Sequence, residues 1–467
     1  MKKSGDSKTV KRSSGLSRRE FVGVAAAAAA FTIVPRRVLA RSGQSPPSEK
    51  LNIAGIGIGG RGAGDLAEVG SENIVALCDV DEKYAAGVFK QYPKAKKYRD
   101  FRVMLDKEGK NIDAVIVATP DHTHAVIAMT AIKMGKHVYC EKPLTHSIWE
   151  ARQLTEAARA AKVATQLGNQ GQASEATRLV CEFIRAGAIG QVREVHSWCN
   201  RYISPRGIDR PKETPPVPET LDWDLWLGPT KWRPYHPCYH PFAWRGWWDF
   251  GTGVLGDIGC HQVDPIFRAL KLGYPISVEA CCSGVNDETA PLASIIRYEF
   301  GARGDSWHGL PARENTAKMA VPLTLTWYDG GLMPPRPAEL EDGRRFGDAD
   351  DNLFVGDKGK MLGHRLIPES KSKEFGKPPE VLARSPGHHK EWISACKGGK
   401  PAGSNFDWAG PLTEVVLLGN IALRISQKLY ETGLKLYYDG PNMKITNLPE
   451  ANKYIRCEYR EGWELSV

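Results

Sequence analysis

The stretch between residues 51 and 79 constrains the fold of this chain more than any other part of its sequence. A short apolar segment runs into the motif G-x-G-x-x-G, formed by Gly55, Gly57 and Gly60, and a helix-like segment follows. A second apolar segment then ends in Asp79, 24 residues after Gly55. A strand, a glycine turn, a helix and a second strand with a terminal acid together indicate a dinucleotide-binding βαβ unit. The alternative is a glycine-rich βα turn that serves only packing.

The residue types of this unit favour one dinucleotide over another. The glycines, followed by Arg61, would let the backbone approach a pyrophosphate at the N-terminus of a helix. Asp79 can accept hydrogen bonds from the hydroxyl groups of an adenosine ribose. Because the same carboxylate would repel a 2′-phosphate, the sequence favours NAD over NADP.

Three further apolar segments, at residues 113–118, 137–140 and 163–167, alternate with helical patterns and continue the predicted parallel sheet. Ligands of such sheets bind at the carboxyl ends of the strands. The candidate residues there are Thr119, Pro120, His124, Glu141, Lys142, Asn169 and Gln170. His124 has an alternative as a hydrogen-bonded histidine at the domain boundary, and Lys142 has one as a surface lysine.

The glycine-rich stretch at residues 251–264 places a carboxylate and an imidazole at helical spacing. If a helix begins near residue 254, Asp257 and His261 lie four residues apart on one face. Pro265 cannot donate to the carbonyl of His261, so we expect a kink or a loosened turn there. A D-x-x-x-H pair alone is weak evidence, and a purely structural pair is the alternative.

A cluster of aromatic residues precedes this stretch. Six tryptophans fall within 26 residues, at positions 223, 226, 232, 244, 247 and 248. Flat rings can stack on the C–H faces of sugars, while Arg and His side chains supply hydrogen bonds to hydroxyl groups. We predict a carbohydrate site with Arg245, Trp247 and Trp248 in the pocket, because these lie nearest to Asp257 in the sequence. The other four tryptophans are assigned to packing.

The N-terminus explains most of the net charge of +9. Residues 1–40 hold nine Lys and Arg against two acids, and the remainder holds 54 basic against 52 acidic residues. This balance removes the electrostatic reason to expect a nucleic acid partner. A paired arginine, an apolar run and a small-residue cleavage site at Ala40 predict a twin-arginine signal peptide at residues 1–40. The alternative is a disordered basic tail.

These motifs together resemble the Gfo/Idh/MocA family of oxidoreductases. The specific parts are the E-K-P triplet that contains Lys142 and the D-x-x-x-H segment with Asp257 and His261. The resemblance implies that these three residues form the catalytic set. It also implies an α/β protein with an N-terminal Rossmann domain and a C-terminal α+β domain. The C-terminal sheet would be open and mainly antiparallel, with a face that makes a dimer or tetramer.

We therefore expect a linker at residues 41–50, an NAD-binding domain at residues 51–170 and a substrate and oligomerisation domain at residues 171–467. The predicted reaction is oxidation of a secondary alcohol of a sugar, glycoside or polyol. His261, with an ordinary pKa near 6.5, would be the base, and Lys142 would donate to the substrate oxygen. A redox-neutral glycoside-cleaving enzyme and a non-catalytic secreted sugar-binding protein are the alternatives.

Export through the twin-arginine pathway would place the mature protein in the periplasm or outside the cell, without a stable membrane anchor. Because no NAD pool is expected there, the sequence predicts NAD that is tightly held and exported with the folded protein. Either a second substrate or an external acceptor would reoxidise it, or the net reaction would be redox-neutral.

The ten cysteines form no C-x-x-C motif and predict no structural zinc site. We interpret most of them as small buried apolar residues. The formation of a disulfide after export is the alternative. His388 and His389 are interpreted as surface histidines rather than metal ligands. The polar segment 447–467 is interpreted as a tail that could reach over a neighbouring subunit.

Overall fold

A computed structural model gives the structure of this chain for residues 49–201, 205–284, 286–301, 321–429 and 433–466. The predicted twin-arginine signal and nearly all of the predicted linker lie outside the described residues. All elements described below belong to one compact unit, Leu51–Val467.

The first half of this unit is built on a parallel sheet of six strands in the order β3-β2-β1-β4-β5-β6. The strands are β1 Asn52–Ile56, β2 Asn73–Cys78, β3 Lys96–Tyr98, β4 Ala114–Val117, β5 His137–Cys140 and β6 Thr165–Leu167. The central strand β4 is buried at every position, which explains its unbroken apolar sequence. This order is that of a dinucleotide-binding Rossmann sheet.

Five helices connect these strands. They are α1 Arg61–Glu68, α2 Ala86–Gln91, α3 Phe101–Glu108, α4 Asp121–Lys133 and α5 Ile148–Ala161. Helix α5 begins with a capping box, in which the Ser147 side chain accepts from the Glu150 amide and the Glu150 side chain accepts from the Ser147 amide. Local sequence therefore fixes where the helix after Lys142 starts.

The second half carries a nine-stranded sheet in the order β13-β12-β11-β7-β10-β9-β8-β14-β15. Its strands are β7 Val192–Cys199, β8 Ser277–Cys282, β9 Ser294–Phe300, β10 Leu323–Asp329, β11 Asp350–Gly356, β12 Lys360–Leu362, β13 Arg365–Ile367, β14 Leu436–Asp439 and β15 Lys444–Ile445. Among the described strands of this second sheet, only β7 and β10 pair in parallel, and the other pairs are antiparallel. The predicted fold class, a Rossmann domain plus a domain with a mainly antiparallel sheet, is confirmed.

Six helices accompany the second sheet or return to the first. They are α6 Glu175–Arg185, α7 Trp223–Leu227, α8 Gly253–Leu270, α9 Glu369–Phe375, α10 His388–Cys396 and α11 Phe406–Leu429. Helix α8 contains the predicted D-x-x-x-H pair and begins at Gly253, one residue before the expected start. The helix is continuous from Gly253 to Leu270 and contains Pro265. The kink or loosened turn that we expected beside His261 therefore does not interrupt it.

The segment that joins α10 to α11 closes the outer edge of the first sheet. The amide of Leu167 in β6 donates to the carbonyl of Ser404 at 2.9 Å, and the amide of Phe406 donates to Oγ1 of Thr165 at 2.9 Å. Helix α11 also packs along α5. Residues far beyond position 170 therefore hydrogen-bond to the edge of the Rossmann sheet. The domain boundary at residue 170 remains a prediction.

The structure contradicts the interpretation of His388 and His389 as surface residues. Both are buried, with 6% and 5% of their surface exposed. Nε2 of His388 lies 2.8 Å from the carbonyl of Leu167, and His389 stacks on Tyr139 with ring centroids 4.9 Å apart. They lie in the contact between α10 and the first sheet, which a pair of adjacent histidines in a sequence does not reveal.

The C-terminal segment also differs from its interpretation as a tail over a neighbouring subunit. Trp463 is 8% exposed and packs near Phe101 of α3, and the guanidinium of Arg102 lies 4.2 Å from its ring centroid. The segment thus packs against its own chain. Its polar groups contribute as well: Arg460 pairs with Asp224 at 2.5 Å, and the hydroxyl of Tyr459 donates to Glu150 at 2.6 Å.

All ten cysteines lie in described residues and all are free thiols. Five are buried, four are partly buried and Cys281 is exposed. No described helix combines the length and the apolar character needed to span a membrane.

Candidate active site

A cavity of about 520 Å³ opens at the carboxyl ends of the strands of the first sheet. One wall consists of residues that directly follow β1, β2, β4 and β5, and the other consists of residues 225–226, 240–245, His261 and Trp463. We call this cavity the crevice. Its position is the one at which open α/β sheets bind their ligands, and its volume suits a small-molecule or cofactor site.

The predicted glycine turn forms the floor of the crevice. Gly57 has φ +77°, and a Cβ atom there would lie 2.6 Å from the backbone nitrogen of Thr119. Gly57 and Gly60 line the crevice, together with Arg61, Thr119 and Pro120. Gly55 lies beneath them, where a Cβ would meet Leu66 at 3.1 Å, so its contribution is to packing under the turn.

Asp79, at the end of β2, points its carboxylate at the glycine turn. It accepts hydrogen bonds from the amides of Ile58 at 2.8 Å and Gly59 at 2.9 Å. Burial raises the pKa of Asp79 to about 6, although these amides and that of Asp81 oppose the shift. Asp79 therefore lies in the crevice where the sequence predicts it, with hydrogen bonds to the turn.

Glu141, which precedes the candidate lysine, connects two of the predicted cofactor residues. Its Oε1 accepts from Nε of Arg61 at 3.2 Å and from Nε2 of Gln170 at 2.8 Å. Burial raises the pKa of Glu141, and the nearby carboxylate of Asp65 adds to the effect. All three of these predicted residues line the crevice.

Lys142 reaches across to helix α8 of the second half. Its Nζ donates to the backbone carbonyl of Asp257 at 2.8 Å and forms a second, shorter hydrogen bond to the Asp257 carboxylate. Burial alone would lower the pKa of Lys142, but Asp257 and Glu141 outweigh it and hold that pKa above its ordinary value. The ammonium group is therefore charged at neutral pH and fixed between the two halves.

Arg245 lies on the other side of the same carboxylate, with its Nε 3.4 Å from Oδ1 of Asp257. Burial alone would raise the pKa of Asp257, but Lys142 and Arg245 together hold it below its ordinary value. Asp257 is thus an ionised anchor for two cations, a role different from the predicted contact with a substrate hydroxyl or with His261.

His261 follows Asp257 by one helical turn and lines the crevice together with Lys142. Burial, together with the charge of Lys142, lowers the pKa of His261 to about 3. This pKa lies well below the ordinary value near 6.5, and the sequence reports neither the burial of the ring nor the ammonium beside it. The imidazole is neutral at neutral pH.

Asp121, the first residue of α4, is a site residue that the sequence analysis did not identify. It is 3% exposed, lines the crevice and accepts a hydrogen bond from Oγ1 of Thr252 at 2.7 Å. Burial raises the pKa of Asp121 to about 7, despite the hydrogen bond from Thr252 and the charge of Lys142. Its position directly after β4 is the signal that could have identified it.

Asp121→Asn should stabilise the protein at high pH and not at low pH. The unfolded chain loses this proton near pH 4 and the folded protein near pH 7, so rising pH across this window favours unfolding. Asparagine carries no such penalty, and its amide oxygen can still accept from Thr252. We expect the variant to gain on the order of 2–4 kcal/mol over the wild type at pH 8 and nearly nothing at pH 4. Denaturant unfolding at both pH values measures this, and an equal difference at both would contradict it.

Two predicted cofactor residues lie away from the crevice surface. His124 is buried, and its ring nitrogens lie 2.8 Å from the carbonyls of Pro143 and Thr119. His124 therefore matches the alternative given for it above: it is a hydrogen-bonded boundary histidine, and it supports the turn that carries Thr119. Asn169 is 1% exposed, and its side-chain nitrogen and oxygen have no partner among the described residues.

The structure contradicts the placement of Trp247 and Trp248 in the substrate pocket. Trp247 is fully buried, its Nε1 donates to the carbonyl of Cys238 at 3.0 Å, and its ring packs edge-on against Tyr239. Trp248 points the other way, into the main core. Successive side chains of extended backbone project to opposite sides, so neighbours of Arg245 in sequence need not share its pocket.

Other aromatic residues take their place in the crevice. Its lining includes Tyr84, Trp226, Phe242, Trp244 and Trp463. The guanidinium of Arg245 lies over the rings of Trp244 and Phe242, 4.3 Å and 4.1 Å from their centroids. No group of three metal-ligating side chains occurs in the part of the chain that the structure describes.

Comparison with protein families finds a similar domain for a segment of each half. Residues 50–169 match the oxidoreductase family GFO_IDH_MocA with an NAD-binding Rossmann fold, and residues 203–302 match the C-terminal alpha/beta domain of the same family. Both matched segments are similar to domains of that oxidoreductase family. Lys142 of the E-K-P triplet and His261 of the D-x-x-x-H pair line the crevice, and Asp257 contacts Lys142.

Curated members of the family align with parts of the chain. Levoglucosan dehydrogenase from Pseudarthrobacter phenanthrenivorans is 26% identical over 189 residues, 40% of this chain and 40% of the relative. Inositol 2-dehydrogenase from Salmonella typhimurium is 29% identical over 176 residues, 37% of this chain and 51% of the relative. The chain thus spans about half or less of the length of these relatives.

Solved structures share the fold over most of the chain. The WlbA dehydrogenase from Bordetella pertussis, in complex with NADH and UDP-GlcNAcA, matches with a TM-score of 0.55 at 16% identity, covering 84% of this chain and 99% of that one. A levoglucosan dehydrogenase in complex with NADH and L-sorbose matches with a TM-score of 0.52 at 17% identity, covering 83% and 98%.

Proposed function

We propose that this protein is an NAD-dependent oxidoreductase that oxidises a secondary alcohol of a sugar, glycoside or polyol and holds its NAD tightly. One observation carries the proposal. Lys142 from the Rossmann half and His261 from helix α8 line one crevice, whose floor is the glycine turn of a dinucleotide-binding unit. A charged donor and a neutral base thus face the position that a bound nicotinamide would share with a substrate.

The residues present fit a dinucleotide. The backbone of Gly57 has no room for a side chain, which leaves the turn open for a pyrophosphate, and Arg61 supplies a cation beside it. Asp79 and Thr119 would hold the ribose and nicotinamide sides, as carboxylate and hydroxyl groups of this edge commonly do. When bound, NAD accepts a hydride from the carbinol carbon.

Lys142 would bind and orient the reacting oxygen. An ammonium group has three N–H donors, and two of those of Lys142 go to Asp257, with no partner for the third among the described residues. That third donor can stabilise negative charge that develops on the substrate oxygen. Asp257 and Arg245 keep the lysine fixed, so the donor needs little reorganisation during the reaction.

His261 would take the hydroxyl proton. Its ring is neutral at neutral pH, because burial and Lys142 disfavour the charged form. A ring nitrogen thus has a lone pair for the proton. Its low pKa makes the ring a weak base, so the hydroxyl proton would leave as the hydride does. Asp257, one turn earlier in α8, also raises the proton affinity of the ring.

The substrate class follows from the walls of the crevice. Trp226, Trp244 and Trp463 offer flat apolar surfaces, while Arg245 and Lys142 offer hydrogen-bond donors. Flat rings and cationic donors together suit the C–H faces and hydroxyl groups of a sugar. The relatives named levoglucosan dehydrogenase and inositol 2-dehydrogenase support the same class.

One experiment tests the proposal at two points. Protein purified without added cofactor is denatured, and released nicotinamide is measured; we expect close to one equivalent per chain. The native protein is then mixed with mono- and disaccharides and glycosides while the absorbance of its own reduced nicotinamide is followed. A keto-sugar product supports the proposal. Release of an aglycone without net reduction would favour the redox-neutral glycoside-cleaving alternative, and protein free of nicotinamide that reduces no added NAD would refute the assignment.

We further propose that the protein acts outside the cytoplasm as a homo-oligomer. The basis for export is the twin-arginine pattern of residues 1–40, and the basis for assembly is the resemblance to a family whose C-terminal sheet often forms subunit contacts. Cell fractionation and the mass of the native protein in solution test these two points.

A further inference from the structure

A second cavity, of about 280 Å³, lies beside the beginning of helix α8. Its lining shares no residue with the crevice, and comes from the segments around His146, Trp248, Asn420 and Tyr454. The catalytic proposal uses none of these residues. We call this space the second cavity.

Two buried polar atoms of its lining lack partners. Nε1 of Trp248, a residue only 4% exposed, has no acceptor, and Oδ1 of Asn420, a residue 7% exposed, has no donor among the described residues. The amide nitrogen of Asn420 donates to the carbonyl of Thr252 at 2.7 Å, which fixes the orientation of the side chain. A buried donor and a buried acceptor without partners cost free energy unless something that enters the cavity binds them.

The cavity also carries unpaired positive charge. Arg424, Lys453 and Arg456 line it, and none of the three has a carboxylate within ion-pair distance among the described residues. The guanidinium of Arg424 lies 4.2 Å from the ring centroid of Tyr454 and 5.7 Å from that of Trp248. Contacts with two rings hold the planar group in place and leave its N–H donors available.

Each of the three carboxylates of the lining already has a hydrogen-bond or ion-pair partner. Glu150 accepts from the hydroxyl of Tyr459 at 2.6 Å and from the amide of Ser147 at 2.9 Å. Asp249 pairs with Arg233, and Glu458 pairs with Lys231 at 2.5 Å. Four cations, which include Lys231, and three carboxylates line the second cavity, so the charge of its lining is positive on balance.

We propose that the second cavity is a binding site for a small hydroxylated organic anion, of the chemical class of sugar acids. The anionic group binds Arg424 and the flanking cations, with the indole N–H of Trp248 as a further donor. A hydroxyl group of the same molecule donates to Oδ1 of Asn420. The ligand needs both an anionic group and a hydroxyl group, because the cavity offers cationic donors for the first and one fixed neutral acceptor for the second.

Calorimetric titration of the full-length protein with D-glucuronate tests this proposal, with D-glucose and sulfate as probes that each lack one of the two features. We expect glucuronate to bind at least tenfold more tightly than either. Arg424→Met should weaken glucuronate binding about tenfold or more, as loss of a charge-assisted hydrogen bond does. Lys453→Glu reverses a charge on an exposed side chain and should weaken binding without affecting the fold.

Arg245→Met, which removes a cation from the crevice, is the matched control and should leave this binding unchanged. Wild-type affinity in both Arg424→Met and Lys453→Glu would overturn the proposal, as would loss of binding in Arg245→Met alone. Equal binding of sulfate would overturn the requirement for a hydroxyl group, and equal binding of D-glucose would overturn the requirement for an anion. If Arg424→Met does not fold, Lys453→Glu decides the outcome by itself.

Discussion

Lys142→Met is expected to lower turnover by about a thousandfold or more while the bound NAD stays in place. The substitution keeps the length of the side chain but removes the ammonium group, which is the donor placed to stabilise charge on the substrate oxygen. Loss of such a donor in a buried site costs about 10²–10³ in rate, and loss of the orientation it provides adds to this. The rate at which the sugar substrate reduces the bound NAD, measured in one turnover, gives the effect on the chemical step directly.

Lys133→Met is the matched control for this experiment. Lys133 is exposed at the end of α4, in the same half of the molecule, and has no ion pair among the described residues. Its substitution should leave turnover unchanged. Turnover within a few fold of the wild type in the Lys142→Met protein would show that the lysine is an anchor for Asp257 and not a catalytic residue.

Gly57→Ala is expected to produce the largest loss of stability among single-residue changes in the glycine turn. An alanine there must adopt φ near +77°, and its Cβ would lie 2.6 Å from a backbone nitrogen and 2.8 Å from a backbone carbon of the segment after β4. Backbone atoms in the centre of a sheet cannot move aside as the tip of a side chain can. We expect a loss on the order of 3 kcal/mol or more, together with loss of bound NAD. Denaturant unfolding and nicotinamide content measure the two effects.

Gly64→Ala, seven residues later, is the opposite case. Gly64 is an exposed residue inside α1, and a Cβ there would make only an ordinary contact of 3.6 Å with the guanidinium of Arg61. Replacing glycine by alanine in an exposed helix typically stabilises a protein by about 0.5–1 kcal/mol. If both variants lost stability equally, the special geometry of Gly57 would not be the cause.

The Rossmann half could be predicted from sequence because its signals are local. An apolar strand, a glycine turn and an acid at the next strand end occur within 29 residues, and at that spacing their combination favours a dinucleotide-binding unit. The rule that ligands bind at the carboxyl ends of parallel strands then brought together Asp79, Glu141 and Lys142 without knowledge of the tertiary structure. The same rule, applied to the residue after Thr119 and Pro120, would have included Asp121.

The second half could be predicted only in outline, because its site depends on how distant segments pack. The sequence identified an aromatic cluster but not which ring faces the crevice: Trp247 and Trp248 are adjacent, yet both point away from it. Trp463 enters the crevice from a C-terminal segment with no periodic pattern. The low proton affinity of His261 comes from burial and from an ammonium group 119 positions earlier in the chain, and no local motif encodes either.

The closure of β6 by Ser404 and Phe406 has a consequence for biosynthesis. The backbone partner of this outer strand is encoded roughly 240 residues after it, so a ribosome that adds about 5–20 residues per second needs on the order of 10–50 s to supply that partner. During this interval the nascent chain would expose an unprotected strand edge, the kind of template on which other chains can pair. We infer that the emerging polypeptide depends on chaperone protection at this stage, and that truncation ahead of α11 yields aggregation instead of an independently folded nucleotide-binding fragment.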